Sequence, residues 1–303
     1  MTAGLAALSP LIYTTGVLLH VSFKYTVGKW LFSKRKELKS AGDWAVVTGA
    51  AAGIGLAFCK ELAKEGLKIL LVDVNGPKLQ TAAREVKEAF GVETRTLKLD
   101  ICQVESFREL KDTINSLSSV ACFVNNAGVF GCLPANLATS EKLTFEAIAQ
   151  IVDVNVRGFT CAARAVLPKL CEAAELRKPF FINMSSITSL INLPGFSVYA
   201  ASKSYVTTLV DCLRVDLRGS GVRLQTYLPS LISTDLSKVP PSKPFVPSAD
   251  VFAAAALDML GVEQNGCGYF FHDLQYWFFG LFLMLMRSHG KAREAQTQYE
   301  KKN

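Results

Sequence analysis

Several things are scarce in this 303-residue sequence. There are three histidines, His20, His272 and His289, far apart and with no Cys, Asp or Glu at metal-ligand spacing, so a metal centre is not expected. The eight cysteines (59, 102, 122, 132, 161, 171, 212 and 267) include no Cys-x-x-Cys pair. Scattered mostly through apolar runs, they read as reduced core residues in a reducing compartment rather than a disulfide framework. Charge is sparse, at 19% of residues, and the middle of the chain has no basic stripe interleaved with aromatics, which argues against nucleic-acid binding. No internal repeat or low-complexity tract is visible.

Apolar residues, by contrast, make up half of the chain, enough for a large core without staples. The formal charge of +7 comes from 33 basic against 26 acidic residues. Its dense clusters, Lys34-Arg35-Lys36 and Arg287 to Lys302, suit an anionic membrane face. From Gly4 to Phe23 there is no formal charge at neutral pH apart from the titratable His20. Twenty helical residues reach about 30 Å, the hydrocarbon thickness. Basic residues (Lys24, Lys29, Lys34 to Lys36) follow this run instead of preceding it, which favours an uncleaved anchor over a signal peptide and leaves the rest of the chain in the cytosol. Pro10, Thr14, Thr15 and His20 interrupt the span, so a shallow interfacial hairpin stays open. A twenty-residue segment suits the slightly thin endoplasmic reticulum membrane. Near the other end, Tyr276 to Met286 is an apolar run too short to cross a bilayer, read as membrane contact or pocket lid. The expected division is an anchor over 1–32, a catalytic domain over 43–275 and a hydrophobic and basic extension over 276–303.

Beyond the linker, strand-like and helix-like segments alternate, the pattern of a doubly wound α/β fold with one parallel sheet. Strands are expected at Trp44–Thr48, Lys68–Asp73, Thr94–Asp100, Ala121–Asn125, Pro179–Ser185, Arg223–Leu228 and Cys267–His272. Helices are expected at Gly55–Glu65, Lys78–Phe90 and Tyr199–Leu217. The stretch Val239 to Pro247, with four prolines, reads as an irregular loop.

Chemistry-bearing groups sit at the ends of these strands. Thr48-Gly49-Ala50-Ala51-Ala52-Gly53-Ile54-Gly55 follows a strand and opens a helix, where glycines let the backbone approach a pyrophosphate held on free N–H groups. Asp73 ends the second strand; a carboxylate there accepts hydrogen bonds from a ribose diol and repels a 2′-phosphate, and its plainer reading is a cap before Asn75-Gly76-Pro77. No basic residue stands at 50 to 52, so NAD(H) is favoured, with NADP(H) as the alternative.

In Tyr199-Ala200-Ala201-Ser202-Lys203 the Tyr and Lys share one helix face. A free tyrosine titrates near pH 10, and a unit charge ~4 Å away at an effective dielectric of ~20 is worth about 4 kcal/mol, roughly three pKa units. Lys203 is therefore a candidate to make Tyr199 a working general acid/base. Ser186, thirteen residues earlier at a strand end, is placed to hydrogen-bond a substrate oxygen, with Ser185 as rival and a turn cap as the plain reading. Asn125-Asn126-Ala127-Gly128 follows another strand, and Asn155 lies on an apolar helix pattern, where a buried amide needs partners.

In order and spacing, Thr48-Gly49-x-x-x-Gly53-x-Gly55, Asn125-Asn126-Ala127-Gly128, Asn155, Ser186 and Tyr199-x-x-x-Lys203 resemble the short-chain dehydrogenase/reductase family over residues 43 to 275. The resemblance implies Tyr199 as proton donor or acceptor, Lys203 on the nicotinamide ribose and lowering the Tyr pKa, Ser186 orienting substrate, and Asn155 anchoring a relay water. It also implies a cofactor lining of Gly49, Gly53, Ile54, Gly55, Asp73, Asp100, Asn126, Tyr199, Lys203 and Thr234. Within the family, the anchor, Gly42-Asp43-Trp44, Gly266-Cys267-Gly268-Tyr269 and the basic tail resemble the microsomal group of 17β-hydroxysteroid dehydrogenases types 3 and 12 and very-long-chain 3-oxoacyl-CoA reductases. Two features depart from that group. It resembles NADPH enzymes with a basic residue near the place of Asp73, and the family's Pro-Gly after the sixth strand is Pro229-Ser230. The activity implied is interconversion of a hydroxyl and a ketone on a steroid, retinoid or 3-oxoacyl-CoA, at the endoplasmic reticulum membrane facing the cytosol, with a homodimer left open. The alternative from another class is a catalytically silent, cofactor-binding scaffold at the membrane.

Overall fold

Val46 and Trp44 point to one side of their strand and Ala45 and Val47 to the other, yet all four are buried. A strand apolar on both faces requires cover on both faces, the condition of a parallel sheet wound with helices. The computed structural model describes residues 2–281, with side chains from residue 12 onward. It contains one seven-stranded sheet in the order β3-β2-β1-β4-β5-β6-β7, every pairing parallel. The strands are β1 Trp44–Thr48, β2 Lys68–Asp73, β3 Thr94–Lys98, β4 Val120–Asn125, β5 Phe180–Met184, β6 Arg223–Tyr227 and β7 Asn265–Gly266.

Ala45 and Val47 join a core with the Gly53–Lys64, Gly76–Phe90 and Ala249–Asp258 helices. Trp44 and Val46 join a second core with Ser106–Asn115 and Phe159–Arg177. Strand order reverses between β1 and β4, so the loops leaving these two strands diverge and open a crevice at their carboxyl ends.

The first and second strands fall on their expected bounds, and the others within two residues, except the last. Cys267–His272 was expected to be extended, but β7 is only Asn265–Gly266, and residues 270–281 are helical. The chain bends over Gly268 and Tyr269, and the N–H groups of His272 and Asp273 turn back to the Tyr269 oxygen. His272 and Asp273 are buried polar residues whose partners lie in other segments, which alternating hydrophobicity cannot report.

Thr2–Phe23 is one helix, continued by a π-helical turn at Lys24–Gly28. Among the described residues no helix is long and apolar enough to cross a membrane. The basic residues that follow are largely paired with carboxylates of the domain, while Lys36 stays exposed. Lys24 is buried against Asp273 and Glu263, Lys29 pairs with Asp258 at 3.3 Å and Lys34 with Glu37 at 3.0 Å. Arg35 binds Glu61, Glu65 and Asp258 at 2.7, 2.6 and 3.0 Å, riveting the N-terminal arm to two helices of the domain. Half of the aromatic run, Tyr276 to Met286, lies outside the described residues, as do Arg287, Lys291, Arg293, His289, Lys301 and Lys302. Within the described half, Trp277 packs edge-on against Tyr13 and His20, joining the C-terminal helix to the N-terminal one. The cysteines are all free, but only Cys59, Cys122 and Cys267 are buried, while Cys132 and Cys212 are exposed, so core burial holds for a minority of them.

Candidate active site

The turn after β1 approaches its neighbours so closely that side chains are excluded. Gly49 has φ +66°, and a Cβ on Gly55 would stand 2.1 Å from the Gly49 oxygen. Ala52, which precedes the Gly53–Lys64 helix, supplies no capping side chain, so the first N–H groups of a twelve-residue helix remain for an anion. Ile54 lies in that first turn and packs partly on the core. Asn126, at the end of β4, holds the turn from the other side: its amide donates to the oxygens of Thr48 (2.9 Å) and Gly49 (3.3 Å). The Thr48 hydroxyl accepts the N–H groups of Asn126 and Ala127 at 3.0 and 3.1 Å.

Asp73 stands beside this turn. One carboxylate oxygen accepts the Ala51 N–H at 3.1 Å and the other the Asn75 N–H at 2.9 Å, so it is both a turn cap and part of the glycine cradle. Each oxygen keeps a lone pair for a hydroxyl. Thr234, from the loop after β6, reaches the same turn: its methyl lies 3.4 Å from where a Gly53 Cβ would be. Asp100 is engaged locally, its carboxylate accepting the Cys102 N–H at 2.9 Å. A cradle with no room for a side chain at Gly49 or Gly55, open helical N–H groups and a carboxylate at its rim fits the pyrophosphate and ribose of a nicotinamide dinucleotide.

Across the crevice, β5 ends at Met184 and the chain turns at Ser186. Its Oγ accepts two bonds from Thr188, from the N–H at 3.2 Å and from the hydroxyl at 3.0 Å. With both lone pairs used, the Ser186 proton is free to point into the crevice, on whose wall the Tyr199 phenol lies near enough to feel the hydroxyl. Ser186 therefore caps a turn and faces the tyrosine as well. The rival Ser185 is tied into the Ser197–Asp216 helix through the Lys203 oxygen (2.9 Å) and the Thr207 hydroxyl (2.8 Å).

Tyr199 and Lys203 lie one turn apart on that helix. Burial pushes the phenol up to about 12, against the opposing pull of the Ser186 hydroxyl. Burial likewise lowers the Lys203 ammonium, to about 8. Lys203 Nζ does not reach the phenol oxygen; it donates to the Met184 main-chain oxygen at 3.0 Å and sits 5.8 Å from the centre of the Tyr199 ring.

Asn155 is buried on a π-helical turn, Asp153–Gly158. Its amide oxygen accepts the Val129 N–H and its nitrogen donates to the Val129 oxygen, both at 2.9 Å, with a third bond to Ser202 Oγ at 3.1 Å. Both amide hydrogens are spent on protein, so the side chain clamps the loop after β4 to the helix of Tyr199. Only the second lone pair of Oδ1 and the main chain remain to meet a water.

Sequence reasoning missed Thr188 and Phe130. The Phe130 ring stands edge-on to Tyr199 at 4.9 Å and to Phe196 at 5.8 Å, forming an apolar wall beside the phenol. The only signal in the sequence was an aromatic two residues after the Asn-Asn-Ala-Gly run. Taken together, a phenol and a hydroxyl converge at one point of the crevice, a buried ammonium lies behind them, and a dinucleotide cradle opens alongside. Such a constellation can move a proton at an oxygen held between Ser186 and Tyr199.

The family profile described as short chain dehydrogenase matches residues 43–243. A very-long-chain 3-oxoacyl-CoA reductase of Mus musculus is 32% identical over 233 residues, which are 77% of this chain and 73% of that one. Among solved structures, a 3-ketoacyl-(acyl-carrier-protein) reductase from Brucella melitensis complexed with NADH superposes with a TM-score of 0.64 at 24% identity, over 74% of this chain and 95% of that one. A short chain dehydrogenase/reductase from Burkholderia phymatum in complex with NAD gives 0.60 at 26% identity, over 67% and 75%.

Proposed function

This chain belongs to the short-chain dehydrogenase family, and on that premise we propose that Tyr199, Ser186 and Lys203 interconvert a hydroxyl and a ketone on a lipid-like substrate. It is an NAD(P)-dependent oxidoreductase acting on CH–OH groups. The observation that carries the residue assignment is the meeting of Ser186 with Tyr199 in front of the buried Lys203.

When bound, the nicotinamide ring supplies or takes up the hydride. The protein manages the proton. Ser186, its lone pairs held by Thr188, donates to the substrate oxygen and orients it. Tyr199 rests protonated at neutral pH, the state needed to give its proton to a carbonyl oxygen as that oxygen gains charge. Lys203 would hold the nicotinamide ribose, and its positive charge one helical turn from Tyr199 would make the reverse transfer accessible. Asn155 acts through position, holding the loop of Phe130 against the helix of Tyr199.

Asp73 supports NAD(H) over NADP(H), since its carboxylate at the cradle rim accepts from a diol and repels a phosphate. The wall of Phe130 and Phe196 supports an apolar substrate, and the reductase name of the Mus musculus relative points to a 3-oxoacyl chain among steroids and retinoids. Exposed apolar side chains at Ile12, Leu19, Phe23, Trp30, Leu31 and Phe278 support attachment to a membrane, taken to be that of the endoplasmic reticulum with the catalytic domain in the cytosol. A silent scaffold would have no use for an assembled Ser186, Tyr199 and Lys203. The test is a turnover screen of purified protein with NAD(H) and NADP(H) against 3-oxoacyl-CoA, steroid and retinoid pairs. Turnover of at least one apolar pair is expected, and cofactor binding with no turnover of any would favour the scaffold.

A further inference from the structure

The loop between β6 and the proline-rich stretch has three attachments. At its start the Tyr227 and Pro229 oxygens accept the N–H groups of Ser185 and Ile187, at 2.8 and 3.0 Å, on either side of Ser186. Further on, Thr234 rests against the glycine turn. Between them stand Ser230 and Leu231. Their main-chain groups are taken by one side chain from a distant segment. His272, fully buried, accepts the Ser230 N–H on Nδ1 at 3.3 Å and faces the Leu231 oxygen with Nε2 at 3.2 Å.

An imidazole that accepts on Nδ1 carries its proton on Nε2, so these two partners select one neutral tautomer. Burial also lowers its basicity, to about 4. The ring is packed on two sides, 5.0 Å from Tyr269 and 6.1 Å from Phe252. The next residue, Asp273, is fixed in the other direction by Lys24 at 2.5 Å and the Tyr25 hydroxyl at 2.7 Å. His272 is thus a rigid bracket between the N-terminal arm and the loop that carries Thr234.

We propose that His272 is a positioning residue for the cofactor: it fixes the Ser230–Leu231 backbone and thereby sets Thr234 against the glycine turn. The proposal rests on the reading of the cradle as a nicotinamide dinucleotide site. His272 touches neither cofactor nor substrate, so its effect is felt in affinity and in the mobility of the loop rather than in proton transfer.

Two substitutions separate this role from packing. His272→Phe keeps a ring of similar size and removes both hydrogen bonds, whereas His272→Gln offers an oxygen and an N–H to the same two partners. Titration with NADH, followed by its fluorescence, should show the Phe variant binding at least about 10-fold more weakly and the Gln variant within about 3-fold of the native protein. Amide exchange at Ser230, Ser233, Thr234 and Ser237, whose N–H groups are bonded, should be slow in the native protein and in Gln and faster in Phe, with the sheet unchanged. An unprotected Ser230 N–H in the native protein overturns the proposal outright, as does a Phe variant with native exchange or native NADH affinity. If Phe does not fold, a folded Gln variant with a 10-fold loss of affinity overturns it equally. Failure of the native protein to bind either NADH or NADPH would sink the reading of the cradle, while the exchange measurement still decides whether His272 holds the loop.

Discussion

Lys203 directs its ammonium to the Met184 main-chain oxygen at 3.0 Å and lies 5.8 Å from the centre of the Tyr199 ring. A buried cation with one carbonyl for a partner is a cost to the fold, and its lowered pKa of about 8 records that cost. The sign follows from linkage. Between pH 8 and the ordinary 10.5 the unfolded chain binds more protons than the folded one, so stability rises with pH through that window and the full penalty applies below it. Lys203→Met should therefore stabilise the protein at pH 7 by on the order of 1–3 kcal/mol, with a smaller gain at pH 10, while turnover falls by at least about 10²-fold. Chemical denaturation at the two pH values checks this; a variant less stable than native at pH 7 contradicts it.

Gly55 offers the sharpest steric test. Gly55→Ala would force its Cβ to 2.1 Å from the Gly49 oxygen, and Gly49 is itself held by Asn126. The turn must open to accommodate it, so NADH binding should weaken by more than about 10-fold while the sheet stays folded. Unchanged affinity would show that the turn is not the pyrophosphate site.

Cofactor choice is read from Asp73. Asp73→Ala removes an acceptor for the ribose and a repulsion against the 2′-phosphate, and it also frees the Ala51 and Asn75 N–H groups. Steady-state kinetics should show kcat/KM falling with NAD(H) and the preference over NADP(H) shrinking by about 10-fold or more. A native protein that already prefers NADP(H) would refute this assignment.

Much of this was legible in the chain itself, for local reasons. β1 and β2 declare their bounds through continuous apolar runs, because both faces are covered. The glycine turn and the Tyr199–Lys203 pair are local spacings, so they could be placed on their elements directly. What could not be read depended on partners far along the chain. Arg35 looked like part of a basic membrane flank, but its three carboxylates lie 26 to 223 residues away. His272 looked like a residue of a last strand, because nothing adjacent announces that Ser230 and Leu231 will meet it. The Asn155 amide has a similar history: a buried polar group needs partners, but Val129 and Ser202 could be identified only once the loop and helix were in place.

The N-terminal arm separates two roles that truncation would otherwise confuse. Deleting residues 1–11 should loosen membrane attachment and leave the fold intact. Deleting 1–32 also strips Lys24 and Tyr25 from the buried Asp273, and should lower stability by about 3–5 kcal/mol. Thermal unfolding of the two truncations, beside flotation with vesicles, checks both parts; equal stability would show that the Lys24 contact contributes nothing. In intact microsomes, protease should reach the catalytic domain without detergent, and protection until detergent is added would contradict a cytosolic face.

The central claim is that Tyr199 moves the proton at the reacting oxygen. Tyr199→Phe keeps the ring against Phe130 and removes only the hydroxyl that meets Ser186. Measured with whichever apolar hydroxyl/ketone pair the native protein turns over, kcat should fall by at least about 10²-fold with NADH affinity within about 3-fold of native. A Phe variant that turns over at near the native rate would contradict the account.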